Sequence, residues 1–397
     1  MERVAFSVLM FFVFAIPWQN FILIEGIGTI SRAIGLATVP ISILAIAQQG
    51  RIRKLGLTFG MMLVFVWYVA LSFVWSHNHS ATLVHVLTYT QLVIMVFIFC
   101  QWIDTERRYR WILQAYIFGC CVLSFNLLQS YFLLNISEYS TRLSAQNVDP
   151  NELSATLVVG IPIAWYLANS SSKRGLLEFV NLTITPLFVI CILLTASRGG
   201  TIAMIVALSM LILSFAKSSI VIKIITIIFM ILLVTNIQII VPESTWNRLS
   251  ELTRLGESNW GYRRVIWEAG LKIFAQYPIL GTGAGTHKYV LVTVLAGFSA
   301  HNVVMSILVQ LGTVGMIIFS IIIARLTSAT LNLPRDERLM FIAILLSWAV
   351  VSMTGAHEYH KFTWFVFGMI LVRTHPAFIL DSHKIKHTSP EGVSLTN

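Results

Sequence analysis

Three short segments carry residues suited to binding and moving negative charge. The first is Thr195-Ala196-Ser197-Arg198-Gly199-Gly200. Two glycines after an arginine allow a tight turn with exposed N–H groups, an arrangement that suits an anion. The same letters also read as a plain turn whose arginine reaches lipid headgroups. The second segment runs from Gly261 to Tyr277 and looks like an amphipathic helix, with Ile266, Ala269 and Ile273 on one face. In it Arg264 has Glu268 four residues on, and Glu268 has Lys272, a ladder typical of a solvated ion-pair face. Arg263 instead has Trp267 at that spacing, so it is the freer of the two to grip a phosphate with its planar fork. The third segment is Ala300-His301-Asn302, at the start of an apolar run. Imidazole titrates near neutrality and can take a proton from a hydroxyl. A histidine so placed also serves as a capping or hydrogen-bonding residue.

Two further segments lie nearby. Arg142 precedes Asp149-Pro150-Asn151-Glu152, where Asp149 and Asn151 fit the turn and cap of a following helix. Pro278-Ile279-Leu280-Gly281-Thr282-Gly283-Ala284-Gly285 is glycine-rich, but neither a βαβ setting nor a P-loop lysine accompanies it. It reads as a flexible turn ending the amphipathic helix, or else as a close backbone approach to a ligand. Acid pairs and His/Cys clusters of metal-binding type do not occur, so neither a tightly held metal nor another cofactor is expected.

The elements that must position these residues are apolar. Of 397 residues, 57% are hydrophobic and 11% charged, and the mean hydropathy is +0.80. A soluble domain carries about 25% charged residues. Twelve apolar runs can be drawn: 4–24, 33–49, 55–75, 83–101, 111–134, 152–169, 176–195, 201–216, 220–241, 300–324, 339–356 and 361–373. Most approach the roughly 20 residues needed to cross a bilayer core. They are continuously apolar, unlike the alternating strands of a membrane barrel. The first run lacks a small-x-small cleavage site and reads as a retained span rather than a signal peptide. Cys100, Cys120, Cys121 and Cys191 lie in or at the end of apolar runs without a C-x-x-C pair, and read as packing residues.

With the N-terminus inside, every even-numbered gap between runs is basic, holding in turn Arg51, Arg53 and Lys54; Arg107, Arg108 and Arg110; Lys173 and Arg174; Lys217; and Arg335 and Arg338. The positive-inside rule therefore puts both termini in the cytoplasm and the long 242–299 gap on the outer face. The formal charge of +10 is scattered over these loops, as topology requires, and does not point to nucleic acid. Arg142, Arg198, Arg263, Arg264 and Lys288 fall on the outer side, against the topology signal, and so call for an anionic ligand or lipid headgroups. The organisation expected is an all-α polytopic membrane protein of about 12 transmembrane helices. Residues 1–241 hold helices one to nine, 242–299 a periplasmic loop, 300–373 helices ten to twelve, and 374–397 a cytoplasmic tail.

Taken in order, the motifs resemble the O-antigen ligase and O-antigen polymerase family of bacterial membrane glycosyltransferases. The resemblance rests on Arg142 with Asp149-Pro150-Asn151, Ser197-Arg198-Gly199-Gly200, Arg263-x-x-x-Trp267, Pro278-x-x-Gly281-x-Gly283, and Ala300-His301-Asn302 followed by Leu311-Gly312-x-x-Gly315. It implies a GT-C-like fold in the inner membrane and a metal-independent, inverting transfer. The donor implied is a glycan on undecaprenyl pyrophosphate, and the acceptor a second glycan or lipid A–core. Membrane lipids and other polysaccharide-assembly proteins are the implied partners. By the resemblance Arg198 and Arg263 bind pyrophosphate and His301 is essential, with Arg142, Arg264, Asn302, Asn151, Gly199 and Trp267 expected to bind substrate. A transporter or flippase of lipid-linked glycans is the rival. Transporters place ionisable groups near the midplane, whereas here they gather at the outer ends of the runs.

Overall fold

The computed structural model describes residues 1–133, 143–169, 175–215, 259–291 and 300–375, with isolated positions between 220 and 236. Most of the expected span at 220–241, the 242–258 and 292–299 stretches, and the tail after 375 lie outside these residues. Apolar runs become helices because a helix satisfies its own backbone groups where water is absent. In chain order they are α1 (Glu2–Ala15), α2 (Ile30–Gln49), α3 (Leu57–Leu71), α4 (His79–Trp102), α5 (Glu106–Leu133), α6 (Pro150–Asn169), α7 (Leu176–Leu194), α8 (Arg198–Phe215), α9 (Asn259–Gln276), α10 (His287–Val290), α11 (Val303–Leu331), α12 (Arg335–Ser352) and α13 (Lys361–Arg373). Five of them, α2, α4, α5, α7 and α11, are long and apolar enough to cross a membrane. The chain is thus an all-α, multi-pass membrane protein; a total of twelve spans goes beyond these five.

The first span departs from its expected bounds. Helix α1 stops at Ala15 rather than near residue 24, because Pro17 lacks the N–H that would continue it. The chain then forms a small hairpin, β1 (Leu23–Ile24) and β2 (Gly28–Thr29), paired Leu23↔Thr29 and Ile24↔Gly28. Gly26 and Gly28 supply its positive φ angles, 75° and 100°.

Helix α6 is the hub. Its side chains from Leu153 to Ala168 are buried, and it packs against α5, α7, α8 and α12. Helix α13 lies along α4, and α3 fits between α4 and α11. Tyr116 stacks on Phe365 with ring centroids 4.6 Å apart. Between helices in lipid, such contacts replace the hydrophobic drive that water would supply.

The gaps between helices gather at two opposite ends. At one end Arg53 and Arg108 meet Asp104 at 3.1 and 2.9 Å, Arg110 meets Glu178 at 3.6 Å, and Arg373 meets Glu106 at 3.3 Å. Arg108 also pairs with Glu2, and Arg373 with the buried Glu337. Breaking a buried pair of the Arg373–Glu337 kind costs roughly 3–5 kcal/mol. These are the gaps that the charge alternation put on one side. The candidate functional residues lie at the other end.

Candidate functional site

At that end the starts of α6, α8 and α11 meet the connection between α12 and α13. Asp149 begins the construction: its Oδ1 accepts the N–H of Asn151 at 2.8 Å and turns the chain into α6. Asn151 then accepts a hydrogen bond from Ser197 Oγ at 2.9 Å. Ser197 in turn accepts the N–H of Gly200 at 3.2 Å, capping α8. Ala196, just before it, has a left-handed φ of 52°. A Cβ on Gly199 would collide with Thr354, and one on Gly200 with Ser154. The two glycines thus let the start of α8 lie flat against α6 and the α12–α13 connection. One of the amides that the pattern offered to an anion, that of Gly200, is already bonded to Ser197. Arg198 sits half-buried at the N-terminus of α8, where the helix dipole also favours negative charge.

Helix α9 is amphipathic as its spacing predicts. Ile266 and Ala269 are buried with Leu291, and Trp267 and Ile273 pack around them. Arg264 points to solvent and pairs with Glu268 at 2.7 Å, whereas Arg263, one position before it, is half-buried. Trp267, expected at the substrate, donates its ring N–H to the Ala300 carbonyl at 3.0 Å. Gly270 faces Met305 and Val309, so α9 rests on the first turns of α11. Arg263 lies one helical turn before Trp267 on α9.

His301 takes a left-handed φ of 46°. Such a backbone costs a β-carbon-bearing residue about 1–2 kcal/mol, and strain of this kind clusters at functional sites. Asn302 caps α11 by accepting the Met305 N–H at 3.1 Å, and its Nδ2 approaches Met353 Sδ at 3.7 Å. Met353 and Thr354 therefore bridge Asn302 on one side and Gly199 on the other. The same connection brings in His357, Glu358 and His360. Burial holds the His357 imidazole well below its ordinary pKa, and the neighbouring His360 and His301 rings add to the effect. Both His357 ring nitrogens are buried without hydrogen-bond partners. Burial likewise pushes the Glu358 carboxyl up to about 7, against the opposing hydrogen bond from Ser306. Burial works against the charged form of His360, yet the Glu152 carboxylate 3.4 Å away raises its pKa.

The glycine-rich segment is a brace. Gly312 breaks α11 with φ 63° and ψ −166°. Thr282 and Gly283 donate their N–H groups to Val309 and Gln310, and the Thr313 N–H bonds the Pro278 carbonyl at 2.8 Å. Side chains on Gly281 or Gly312 would strike the facing backbone. The close approach suggested by the glycines is made to the broken helix. From there Gln310 donates to Ser306 at 2.6 Å, and Ser306 donates to Glu358.

Through these contacts Asn151, Arg198, Gly199, Trp267, His301 and Asn302 join one continuous patch, with Arg263 beside Trp267. Arg142 lies outside the described residues. The sequence reading passed over His357, Glu358, His360, Lys361 and Arg32. For the first four the signal was there: residues 357–360 put four polar or ionisable side chains between two apolar runs, and Lys361 opens the second. Among the described residues, no group of three or more His, Cys, Asp or Glu side chains is gathered as a metal site. Guanidinium groups suit a bound anion, and an imidazole suits proton transfer.

Residues 184–320 match the family model described as O-Antigen ligase. The match takes in Arg198, Arg263 and His301 and leaves out Asn151 and the α12–α13 connection. No curated protein matches the chain.

Proposed function

Because residues 184–320 belong to the O-antigen ligase and polymerase family, we propose that the chain moves a glycan from undecaprenyl pyrophosphate to an acceptor hydroxyl. The observation that carries the reading is the Met353–Thr354 bridge, which ties the start of α8, with Arg198, to the start of α11, with His301. The acceptor oxygen attacks the anomeric carbon while His301 takes its proton, for a gain of about 10²–10⁴-fold. The bond from that carbon to the pyrophosphate oxygen breaks, and the electron pair leaves with the oxygen. Arg198 and Arg263 stabilise the charge that builds there, in a site with little water to compete. A single displacement of this kind inverts the anomeric configuration. No step calls on a metal.

In this reading both termini lie in the cytoplasm, the site faces the periplasm, and the inner membrane holds the polyprenyl tail. The modest outer loop favours a ligase using lipid A–core over a polymerase extending a second lipid-linked unit. A deletion strain complemented with Arg198→Ala, Arg263→Ala or His301→Ala tests the reading, with insertion checked by immunoblot. Each variant should fail to restore surface polysaccharide. Long polymers left on the lipid carrier would mark a ligase, and single repeat units a polymerase. Full polysaccharide output from normally inserted variants would sink the site assignment.

A further inference from the structure

A cavity of about 500 Å³ opens between α1, α2 and α4, within the roughly 300–1,000 Å³ range of small-molecule sites. Arg198, Arg263 and His301 do not line it. Much of its lining is apolar, with Leu9, Phe12, Leu92, Met95 and Ile98. Its mouth is polar and holds Gln19, Thr29, Arg32, Glu152, His360 and Lys361. Lys361 Nζ donates to Gln19 Oε1 at 2.6 Å and to Thr29 Oγ1 at 3.4 Å, both neutral acceptors. Glu152 faces His360 at 3.4 Å. Among the described residues, neither Arg32 nor Lys361 has a carboxylate within ion-pair distance. Arg32 and Lys361 thus share the rim with one carboxylate, Glu152, which attracts Lys361 but is paired with His360, and the two cations repel one another.

Both residues also lie at the end of the bundle that the positive-inside rule leaves poor in cations. A phosphate would neutralise the pair, with Arg32 offering its fork and Lys361 a point charge. The apolar lining suits hydrocarbon. Helix α2 is the least buried of the five candidate spans, and its Leu36, Ile43 and Leu44 are exposed. It packs along α1 but only sparsely on α4, which leaves a side way for a chain to pass into the bilayer. The first turn of α6 stands between this cavity and the patch around Arg198: Asn151 faces Ser197, and Glu152 faces His360.

We propose that this cavity is a second lipid berth. It holds an amphiphile with its phosphate head at Arg32 and Lys361 and its hydrocarbon chain between α1, α2 and α4. The inference does not rest on the pyrophosphate site at Arg198 and Arg263. Two sources share this chemistry, a polyprenyl phosphate and an anionic phospholipid.

The test is photolabelling of the full-length protein in nanodiscs with a diazirine-bearing polyprenyl phosphate, the labelled peptides being mapped by mass spectrometry. Label should fall on α2 or α4. The Arg32→Gln/Lys361→Gln variant should lower it at least tenfold. Thr88→Trp, which fills the cavity from α4 and leaves the cations in place, should block it. Arg198→Ala/Arg263→Ala should leave it unchanged, so that failure here and failure of the transferase reading stay distinct. Competition by unlabelled polyprenyl phosphate alone assigns the berth to isoprenoid lipid, and equal competition by phosphatidylglycerol assigns it to phospholipid. Label elsewhere, label indifferent to both the charge and the filling variants, or label that no phosphate-headed lipid displaces would overturn the proposal.

Discussion

Glu358 should make the stability of this protein depend on pH in a way that one substitution removes. The carboxyl is buried in the α12–α13 connection, with Oε1 bonded by Ser306 and Oε2 without a hydrogen-bond partner. Burial raises its pKa from 4.5 to about 7. The unfolded chain releases this proton near 4.5, while the folded chain keeps it until about 7. Its contribution to stability is therefore fully present below the unfolded value and is lost as pH rises through the folded one. A rise from 4.5 to about 7 corresponds to roughly 3 kcal/mol. His357 acts in the opposite sense. Its folded pKa lies well below 6.5, so its contribution is present above that value and is lost as pH falls. The two slopes overlap, and the wild-type curve alone cannot separate them. Glu358→Gln does, because it fixes the neutral form and still accepts from Ser306. Thermal or denaturant unfolding of purified protein should show the variant gaining on wild type by about 3 kcal/mol between pH 5 and 8. A difference that stays constant over that range would refute the burial of an ionisable carboxyl at this position.

Three other substitutions test the architecture of the patch. Gly312→Ala forces a β-carbon against the Ile279 carbonyl at a positive φ and should cost about 2 kcal/mol or more, read as a lowered melting temperature. Trp267→Phe removes the N–H bonded to Ala300; leaving that carbonyl unsatisfied costs about 1–3 kcal/mol, and transfer should fall with membrane insertion unchanged. Arg263→Lys keeps the charge and loses the bidentate fork, so turnover should drop about tenfold or more in a donor-release assay.

Local patterns were readable in the sequence wherever one helix or turn decides the outcome. The Arg264–Glu268 pair and the Asp149 turn both depend on neighbours two to four residues away, and both form. The meeting of Arg53, Arg108 and Arg110 with the acids of neighbouring gaps agrees with the grouping of basic gaps that the charge alternation drew. What the sequence hid is tertiary. Gly281 and Gly312 are 31 positions apart in number, and nothing local says that one segment braces the break in the other helix. The early stop of α1 was hidden by hydropathy that continues past Pro17. Residues 357–360 carry only a weak local signal of a site, because histidines and a single acid between two apolar runs say little about topology. Their meaning appears only when packing against α6 and α11 buries them.

The most direct measurement reconstitutes the purified full-length chain in nanodiscs with a glycan on undecaprenyl pyrophosphate and a hydroxyl acceptor. It follows release of the polyprenyl pyrophosphate and reads the new anomeric linkage by NMR. The account predicts transfer with inversion, and losses of about 10²-fold or more for Arg198→Ala and His301→Ala. Donor carried across the bilayer without transfer, retention of configuration, or full turnover in both variants would contradict it.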